Sequence, residues 1–131
     1  MAQVIASIFA EQRDQVVRAA SQAAMAGADW VELRLDRWPA GGDLAATIAQ
    51  IQLPVLVACR VPEDGGSFRG SLGERRELLG SALAAGAAGI DLELWETWTP
   101  SVGRNRLRLF VRSYHHLSAV PKDLPAIQDR L

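Results

Sequence analysis

The stretch that decides the fold is Val31-Glu32-Leu33-Arg34-Leu35-Asp36, a short apolar run that carries a charge at every second residue. Side chains two residues apart on a β-strand point the same way, so the charged residues share one face and the apolar residues share the other. A half-buried strand that turns its charged face to water has the same pattern. Two later strand-like runs, however, also end in ionisable residues, at Arg60 and His115. Strands that deliver polar groups at their ends predict a site at one rim of a sheet.

Apolar strand-like runs alternate with helical periodicity along the rest of the chain. The predicted strands are Val4–Ile8, Trp30–Leu35, Pro54–Cys59, Ile90–Leu94 and Leu107–Ser113. The predicted helices are Glu11–Ala26, Asp43–Ile51, Leu72–Ala85 and Leu124–Leu131. Strands that alternate with helices in this way indicate a parallel sheet with right-handed crossovers.

Capping and turn residues mark where these elements begin and end. Ser71 and Glu74 have the spacing of a capping box at the start of a helix. Gly27 is a suitable helix stop. Gly65 and Gly66 lie in the loop after the third strand. They predict a turn there, and a flexible lid over the site is the alternative.

The length of 131 residues fits a single α/β domain, residues 1–131. Parallel sheets either close as eight-stranded barrels of about 250 residues or remain open as doubly wound folds. Five predicted strands suffice for an open sheet and are too few to close a barrel.

Composition and charge exclude several classes of function. The formal net charge is −1, so the sequence predicts no polyanion-binding surface and no nucleic-acid partner. No apolar stretch approaches the roughly 18–20 residues that span a bilayer, and no signal peptide is recognisable. Cys59 is the single cysteine. It predicts a buried core thiol and a reducing, cytoplasmic location.

Three motifs occur in order along the chain. They are Gly27–Asp36, Cys59–Gly66 and Ser113–Leu117, with Ile90–Leu94 between the last two. Together they resemble the type I 3-dehydroquinate dehydratases, the Schiff-base class of the shikimate pathway. The resemblance covers essentially the whole chain.

The resemblance implies a TIM-type (β/α)8 barrel, of which this chain holds about the first five of eight strands. It also implies dehydration of 3-dehydroquinate to 3-dehydroshikimate, without a metal or organic cofactor. In that family a lysine forms an imine with the substrate ketone. The imine acts as an electron sink while a histidine removes the neighbouring proton and water is lost.

By position, Glu32, Arg34 and Arg60 resemble the substrate-binding residues of the family. The planar guanidinium donates hydrogen bonds in pairs, which suits a ligand rich in carboxylate and hydroxyl oxygens. His115 resembles the catalytic general base, for which an unperturbed pKa near neutrality is appropriate. The next residue, His116, is expected to face the opposite way.

Asp64 and Ser7 are further substrate-binding candidates. Asp64 stands where the family typically has a glutamate, and Ser7 lies on the first strand, where the family has a small polar residue. Asp36 is expected to tie down a loop or helix. The sequence leaves open whether Asp91 and Glu93 serve structural hydrogen bonding or catalysis.

The residues Trp95 and Trp98 follow the fourth strand. They predict packing beneath a loop, with an exposed oligomer contact as the alternative.

The imine lysine of the family has no matching residue in this chain. Lys122, the single lysine among the 14 basic residues, does not match the family position and is expected to lie on the surface. We therefore expect the 131-residue chain alone to lack normal turnover. A longer enzyme, a partial barrel whose open edges are covered in a homodimer, and a non-catalytic ligand-binding or regulatory module remain alternatives.

Overall fold

A computed structural model describes residues 1–102 and 106–130. These residues form one sheet of five parallel strands in the order β1-β2-β3-β4-β5. The strands are β1 (Ile5–Phe9), β2 (Trp30–Arg34), β3 (Val55–Ala58), β4 (Gly89–Glu93) and β5 (Leu109–Ser113). The helices are α1 (Arg13–Met25), α2 (Leu44–Ala49), α3 (Leu72–Ala84) and α4 (Leu124–Gln128). The predicted α/β alternation and parallel pairing are confirmed.

The strands follow one another in space as they do in the chain, which is the strand order of a (β/α) barrel. The sheet is open, because within the described residues β1 and β5 each pair with a neighbour on one side only. No helix described there is long and apolar enough to cross a membrane.

The predicted start and stop signals function as expected. Ser71 Oγ accepts a hydrogen bond from the Glu74 backbone N–H at 3.1 Å, and the Glu74 carboxylate accepts one from the Ser71 N–H at 2.6 Å. This capping box begins α3. Gly27, just after α1, has φ +94°, a conformation that L side chains rarely adopt.

Several predicted boundaries were wrong by one to three residues. The strand predicted to run through Leu35 ends at Arg34, because Leu35–Arg37 turns into a short 3-10 helix. The fifth strand begins at Leu109, two residues later than predicted. The last helix ends at Gln128, while Leu131 lies outside the described residues. Helix and strand ends depend on local capping and pairing, which periodicity does not report.

The apolar core lies between one face of the sheet and the helices. Val31, Leu33, Ile90 and Leu92 point from the strands into this core and are fully buried. The prediction for Cys59 is confirmed, since it is fully buried in the same cluster and burial raises the pKa of its thiol to about 12. Because side chains alternate along a strand, the opposite face is left for polar residues.

Candidate functional site

Polar side chains collect on the sheet face opposite the core, toward the carboxyl ends of the strands. In parallel strands these ends lie at one edge, where α/β proteins bind ligands. Ser7 on β1 stands in register with Glu32 on β2, and its hydroxyl donates to Glu32 Oε1 at 3.0 Å. Asp91 and Glu93 on β4 point to the same side. Ser113 on β5 donates to Asp91 Oδ1 at 2.6 Å.

Arg60, two residues after β3, is the centre of this cluster. Its Nη2 donates to Asp91 Oδ2 at 2.7 Å and lies 3.8 Å from Glu32 Oε2. Its Nη1 lies 3.5 Å from Glu93 Oε1 and 3.3 Å from His115 Nδ1. One guanidinium thus joins residues from β2, β4 and the segment after β5. The sequence-predicted residues Glu32, Arg60 and His115 are brought together.

Arg34 is held at the side of this cluster by Asp36 and Phe9. Its Nη2 donates to Asp36 Oδ2 at 2.6 Å, and its Cζ lies 5.1 Å from the centre of the Phe9 ring. Asp36 also accepts from the backbone N–H groups of Arg60 at 2.9 Å and Ser67 at 3.2 Å. Asp36 therefore ties down the loop that follows β3, as its position in the sequence predicts.

The loop after β3 carries Asp64 to the cluster. Pro62–Asp64 forms one 3-10 turn, and Gly65 follows it with φ +80°. A Cβ at Gly66 would lie 2.0 Å from the Arg60 carbonyl oxygen, so the close approach requires glycine. The predicted turn at these glycines is confirmed. It places Asp64 Oδ1 3.7 Å from His115 Nδ1.

His115 and His116 point in different directions, as expected for adjacent residues of an extended segment. His115 is partly buried against Arg60 and Asp64, whereas His116 is exposed and accepts from the Ala119 N–H at 3.2 Å. Burial, reinforced by the positive charge of Arg60, lowers the pKa of His115, against the opposing effect of Asp64 and Asp91. The imidazole is therefore kept neutral at neutral pH, which is the state that a general base requires.

Comparison with known proteins identifies the family. A sequence model described as type I 3-dehydroquinase matches residues 4–130. The chain belongs to this family. It is 32% identical over 124 residues to a 3-dehydroquinate dehydratase of Methanothrix thermoacetophila, covering 95% of this chain and 53% of that protein. It is 34% identical over 122 residues to one of Methanothermobacter thermautotrophicus, covering 87% of this chain and 52% of that protein.

Solved structures show the same fold. The chain superposes on the 3-dehydroquinate dehydratase of Geobacillus kaustophilus HTA426 with a TM-score of 0.73 and 20% identity, covering 98% of this chain and 56% of that one. For the Enterococcus faecalis protein the TM-score is 0.63 and the identity 23%, covering 72% and 43%. The predicted family and barrel-type fold are confirmed. The chain spans about half the length of these relatives.

In this type I 3-dehydroquinase chain a buried ion cluster lies behind the site, and sequence reasoning missed its central residue. Arg75 on α3 is fully buried. It donates to the Cys59 carbonyl and to Glu96 Oε2, both at 2.7 Å, and also to Glu93 Oε2. Arg75 lies four residues before Leu79, on the buried face of the helix. A charged residue at an apolar position was the signal that could have found it.

The two glutamates bound by Arg75 have pKa values that are shifted in opposite directions. Burial raises the pKa of Glu93, against the opposing charge of Arg75. Its Oε1 is buried without a hydrogen-bond partner among the described residues. At Glu96 burial also favours the neutral acid, but hydrogen bonds from Arg76 and the Trp98 N–H outweigh it and lower the pKa. Glu93 connects the buried cluster to Arg60, because its Oε2 accepts from Arg75 and its Oε1 lies 3.5 Å from Arg60 Nη1.

The remaining sequence expectations concern Lys122 and the tryptophans after β4. Lys122 is exposed, as expected. Trp98 is partly buried against the core, which agrees with packing beneath a loop. Trp95 is 43% exposed, and its indole N–H donates to Asp64 Oδ2 at 2.8 Å.

Proposed function

We propose that this chain supplies the substrate-binding and proton-transfer part of a 3-dehydroquinate dehydratase that converts 3-dehydroquinate to 3-dehydroshikimate. The observation that carries the proposal is the cluster around Arg60, in which a guanidinium, three carboxylates and an imidazole meet at the ligand-binding edge of a parallel sheet. The family membership supports the same chemistry.

In this proposal Arg60 and Arg34 bind the oxygen atoms of the substrate. Each guanidinium is held by a carboxylate, Arg60 by Asp91 and Arg34 by Asp36, so its remaining N–H groups are oriented before the ligand arrives. Glu32, fixed by the Ser7 hydroxyl, accepts a hydrogen bond from a substrate hydroxyl. These contacts hold the reacting carbon near His115.

His115 removes the proton next to the substrate carbonyl carbon. The C–H bond breaks, the proton passes to the imidazole, and the electron pair forms a double bond to the carbonyl carbon. The pair then returns to form the double bond of the product as the C–O bond on the other neighbouring carbon breaks, and the departing hydroxyl takes the proton back from the imidazolium and leaves as water. In the family this step is assisted by a lysine imine. We do not assign the imine to Lys122, because its side chain is exposed and the family position differs.

Binding of 3-dehydroquinate to the 131-residue chain is the first test. Isothermal calorimetry should detect binding by the wild-type chain, with affinity reduced at least about tenfold in Arg60→Gln, since charge-assisted hydrogen bonds contribute about 1.5–3 kcal/mol. Arg69→Gln, at an exposed position of the same loop, is the matched control and should bind as the wild type does. A wild-type chain that does not bind 3-dehydroquinate would contradict the proposal.

Turnover and borohydride trapping then separate the enzyme from the binding module. If the chain turns over, His115→Asn should reduce the rate about 10²–10⁴-fold, while His116→Asn should leave it unchanged. A borohydride-reduced adduct seen by intact mass spectrometry would show that an amine of this chain reaches the site. Binding without turnover and without an adduct would favour the non-catalytic ligand-binding or regulatory alternative.

We further propose a homodimer that covers the open edges of the sheet. Unpaired edge strands favour association, and Phe9 on β1 and Phe110 on β5 are exposed apolar residues on the two edge strands. Sedimentation equilibrium over a range of concentrations should give twice the chain mass, and a monomer throughout would contradict the dimer. The same proposal places the protein in the cytoplasm, with a small-molecule substrate as its ligand.

A further inference from the structure

The side chain of Trp95 makes two specific contacts, one through its N–H and one through its ring face, although it is partly exposed. Its indole N–H donates to Asp64 Oδ2 at 2.8 Å, and its ring lies 5.1 Å from Arg75 Cζ. Arg75 is fully buried and is itself fixed by three hydrogen-bond acceptors. The ring therefore packs on a buried cation whose nitrogens are all directed at fixed acceptors, and the cation–π contact supports the indole in this position.

Asp64 divides its carboxylate oxygens between Trp95 and His115. Oδ2 accepts from the indole, and Oδ1 lies 3.7 Å from His115 Nδ1. Asp64 is at the end of the short 3-10 turn Pro62–Asp64, and its side chain is 10% exposed. The indole N–H is the restraint that directs Oδ1 at the imidazole.

His115 Nδ1 has one hydrogen-bond donor and one hydrogen-bond acceptor as neighbours. Arg60 Nη1, at 3.3 Å, can only donate, so in the neutral ring Nδ1 accepts and the hydrogen is on Nε2. When the imidazole takes up a proton, both ring nitrogens carry hydrogen and Nδ1–H can no longer face Arg60. Asp64 Oδ1 then provides the acceptor.

We propose that Trp95 is a positioning residue whose indole N–H holds Asp64 ready to accept the Nδ1–H of protonated His115. The inference rests on the proposed role of His115 as the base, because only a base needs a partner for its protonated form. The proton moves from the substrate carbon to Nδ1, the ring nitrogen that carries no hydrogen in the neutral form, and the hydrogen bond from Arg60 to Nδ1 is given up. The new Nδ1–H then donates to Asp64, which does not itself become protonated. Trp95 acts through Asp64 and does not touch the substrate.

Four charged groups set the protonation of His115. Arg60 and Arg34 oppose its positive form, as burial does, whereas Asp64 and Asp91 favour it. Removing the charge of Asp64, or letting it turn away, must therefore make His115 harder to protonate. Trp95 carries no charge of its own, yet its replacement should change the pKa of His115 through Asp64.

The test is an NMR titration of the His115 ring in four proteins: wild type, Trp95→Phe, Asp64→Asn and the double variant. Phenylalanine keeps an aromatic ring to pack over Arg75 and removes three ring atoms of the indole, among them the N–H donor. Asp64→Asn should lower the His115 titration midpoint by about one pH unit or more, as expected for loss of one charge near 4 Å in a site less hydrated than bulk water. Trp95→Phe should lower it by a smaller amount. The double variant should titrate like Asp64→Asn, because Trp95 acts only through that carboxylate.

Two controls and a second signal make the result specific. His116→Asn assigns the His115 resonances, since the sequence has two histidines, and Trp98→Phe removes another tryptophan of the same loop without moving the midpoint. The Trp95 indole resonance, recognised by its loss in Trp95→Phe, should shift with the His115 titration in the wild type and not in Asp64→Asn.

Two outcomes would overturn the inference. One is a His115 midpoint in Trp95→Phe equal to that of the wild type while Asp64→Asn lowers it. The other is a further decrease when Trp95→Phe is added to Asp64→Asn. The titration needs no substrate, so failure to bind 3-dehydroquinate contradicts the proposed function and still leaves the positioning of Asp64 decided by these measurements.

Discussion

Replacing Arg75 with methionine should destabilise the fold strongly, because the change removes the fully buried cation that Glu93 and Glu96 share. Arg75 donates to the Cys59 carbonyl and to Glu96 Oε2 at 2.7 Å, and to Glu93. Methionine fills much of the same volume and makes none of these hydrogen bonds. Glu93 then retains only Arg60 Nη1, 3.5 Å away, as a cationic neighbour among the described residues.

The magnitude follows from the burial of the cluster. Removing one partner of a buried ion pair costs about 3–5 kcal/mol, because an uncompensated charge stays in the interior. Arg76→Met is the matched control, since Arg76 is the next residue of α3 and donates to the same Glu96 at 2.7 Å, but its side chain is 33% exposed. Partly hydrated pairs contribute about 1 kcal/mol or less. The two variants should therefore differ by about 3 kcal/mol.

Urea unfolding followed by far-ultraviolet circular dichroism, at pH 7 and at pH 5, measures both losses. Burial already raises the pKa of Glu93. A carboxyl group of this kind stabilises the fold at low pH and loses that contribution as the pH rises through its folded-state pKa. Arg75→Met removes the opposing charge, so its loss of stability should be larger at pH 7 than at pH 5. A loss at pH 7 no greater than that of Arg76→Met would refute the reasoning.

Two further predictions concern the loop after β3 and the pH dependence of stability. Gly66→Ala should cost about 1–3 kcal/mol, because its Cβ would lie 2.0 Å from the Arg60 carbonyl oxygen. Gly80→Ala in α3 should raise the free energy of unfolding by about 1 kcal/mol, because nothing lies within 4 Å of the new Cβ. Thermal unfolding measures both variants, and melting temperatures that move in the same direction would contradict this pair of expectations. Burial and Arg60 lower the pKa of His115, so the folded chain binds its proton less readily than the unfolded chain, and stability is lost as the pH falls through this range. His115→Asn should lose less stability than the wild type between pH 7 and pH 5, and equal losses by urea unfolding would show that His115 contributes nothing.

Local patterns were sufficient to predict the order of elements. Apolar runs of strand length alternate with helical periodicity, and the capping box at Ser71 and Glu74 marks the start of α3 within one residue. Alternation along β2 correctly divides Leu33, which enters the core, from Glu32, which faces the cluster. Both follow from periodicities of two and 3.6 residues, which the sequence expresses directly.

Contacts between segments far apart in the chain could not be predicted from these local patterns. The helical spacing of Arg75 from Leu79 places it on the buried face of α3, but the sequence does not reveal which carboxylates and carbonyl group neutralise it there, whereas the neighbouring Arg76 is partly exposed. The contacts of Asp64 with both Trp95 and His115 join residues 31 and 51 positions apart. Hydrogen bonds of this kind depend on where the loops cross the sheet edge, and no local propensity carries that information.

The sequence by itself determined the α/β rhythm, the parallel sheet, the core face of β2 and the family to which the chain belongs. Only the tertiary structure decided that Arg60 is shared by Glu32, Asp91, Glu93 and His115, that Arg75 is the buried cation behind them, and which histidine faces the cluster. The physical reason is the range of the interactions. Periodicity and capping act within a few residues of the chain, whereas the direction of a buried charge is set by oppositely charged groups that the fold brings within 4 Å of it.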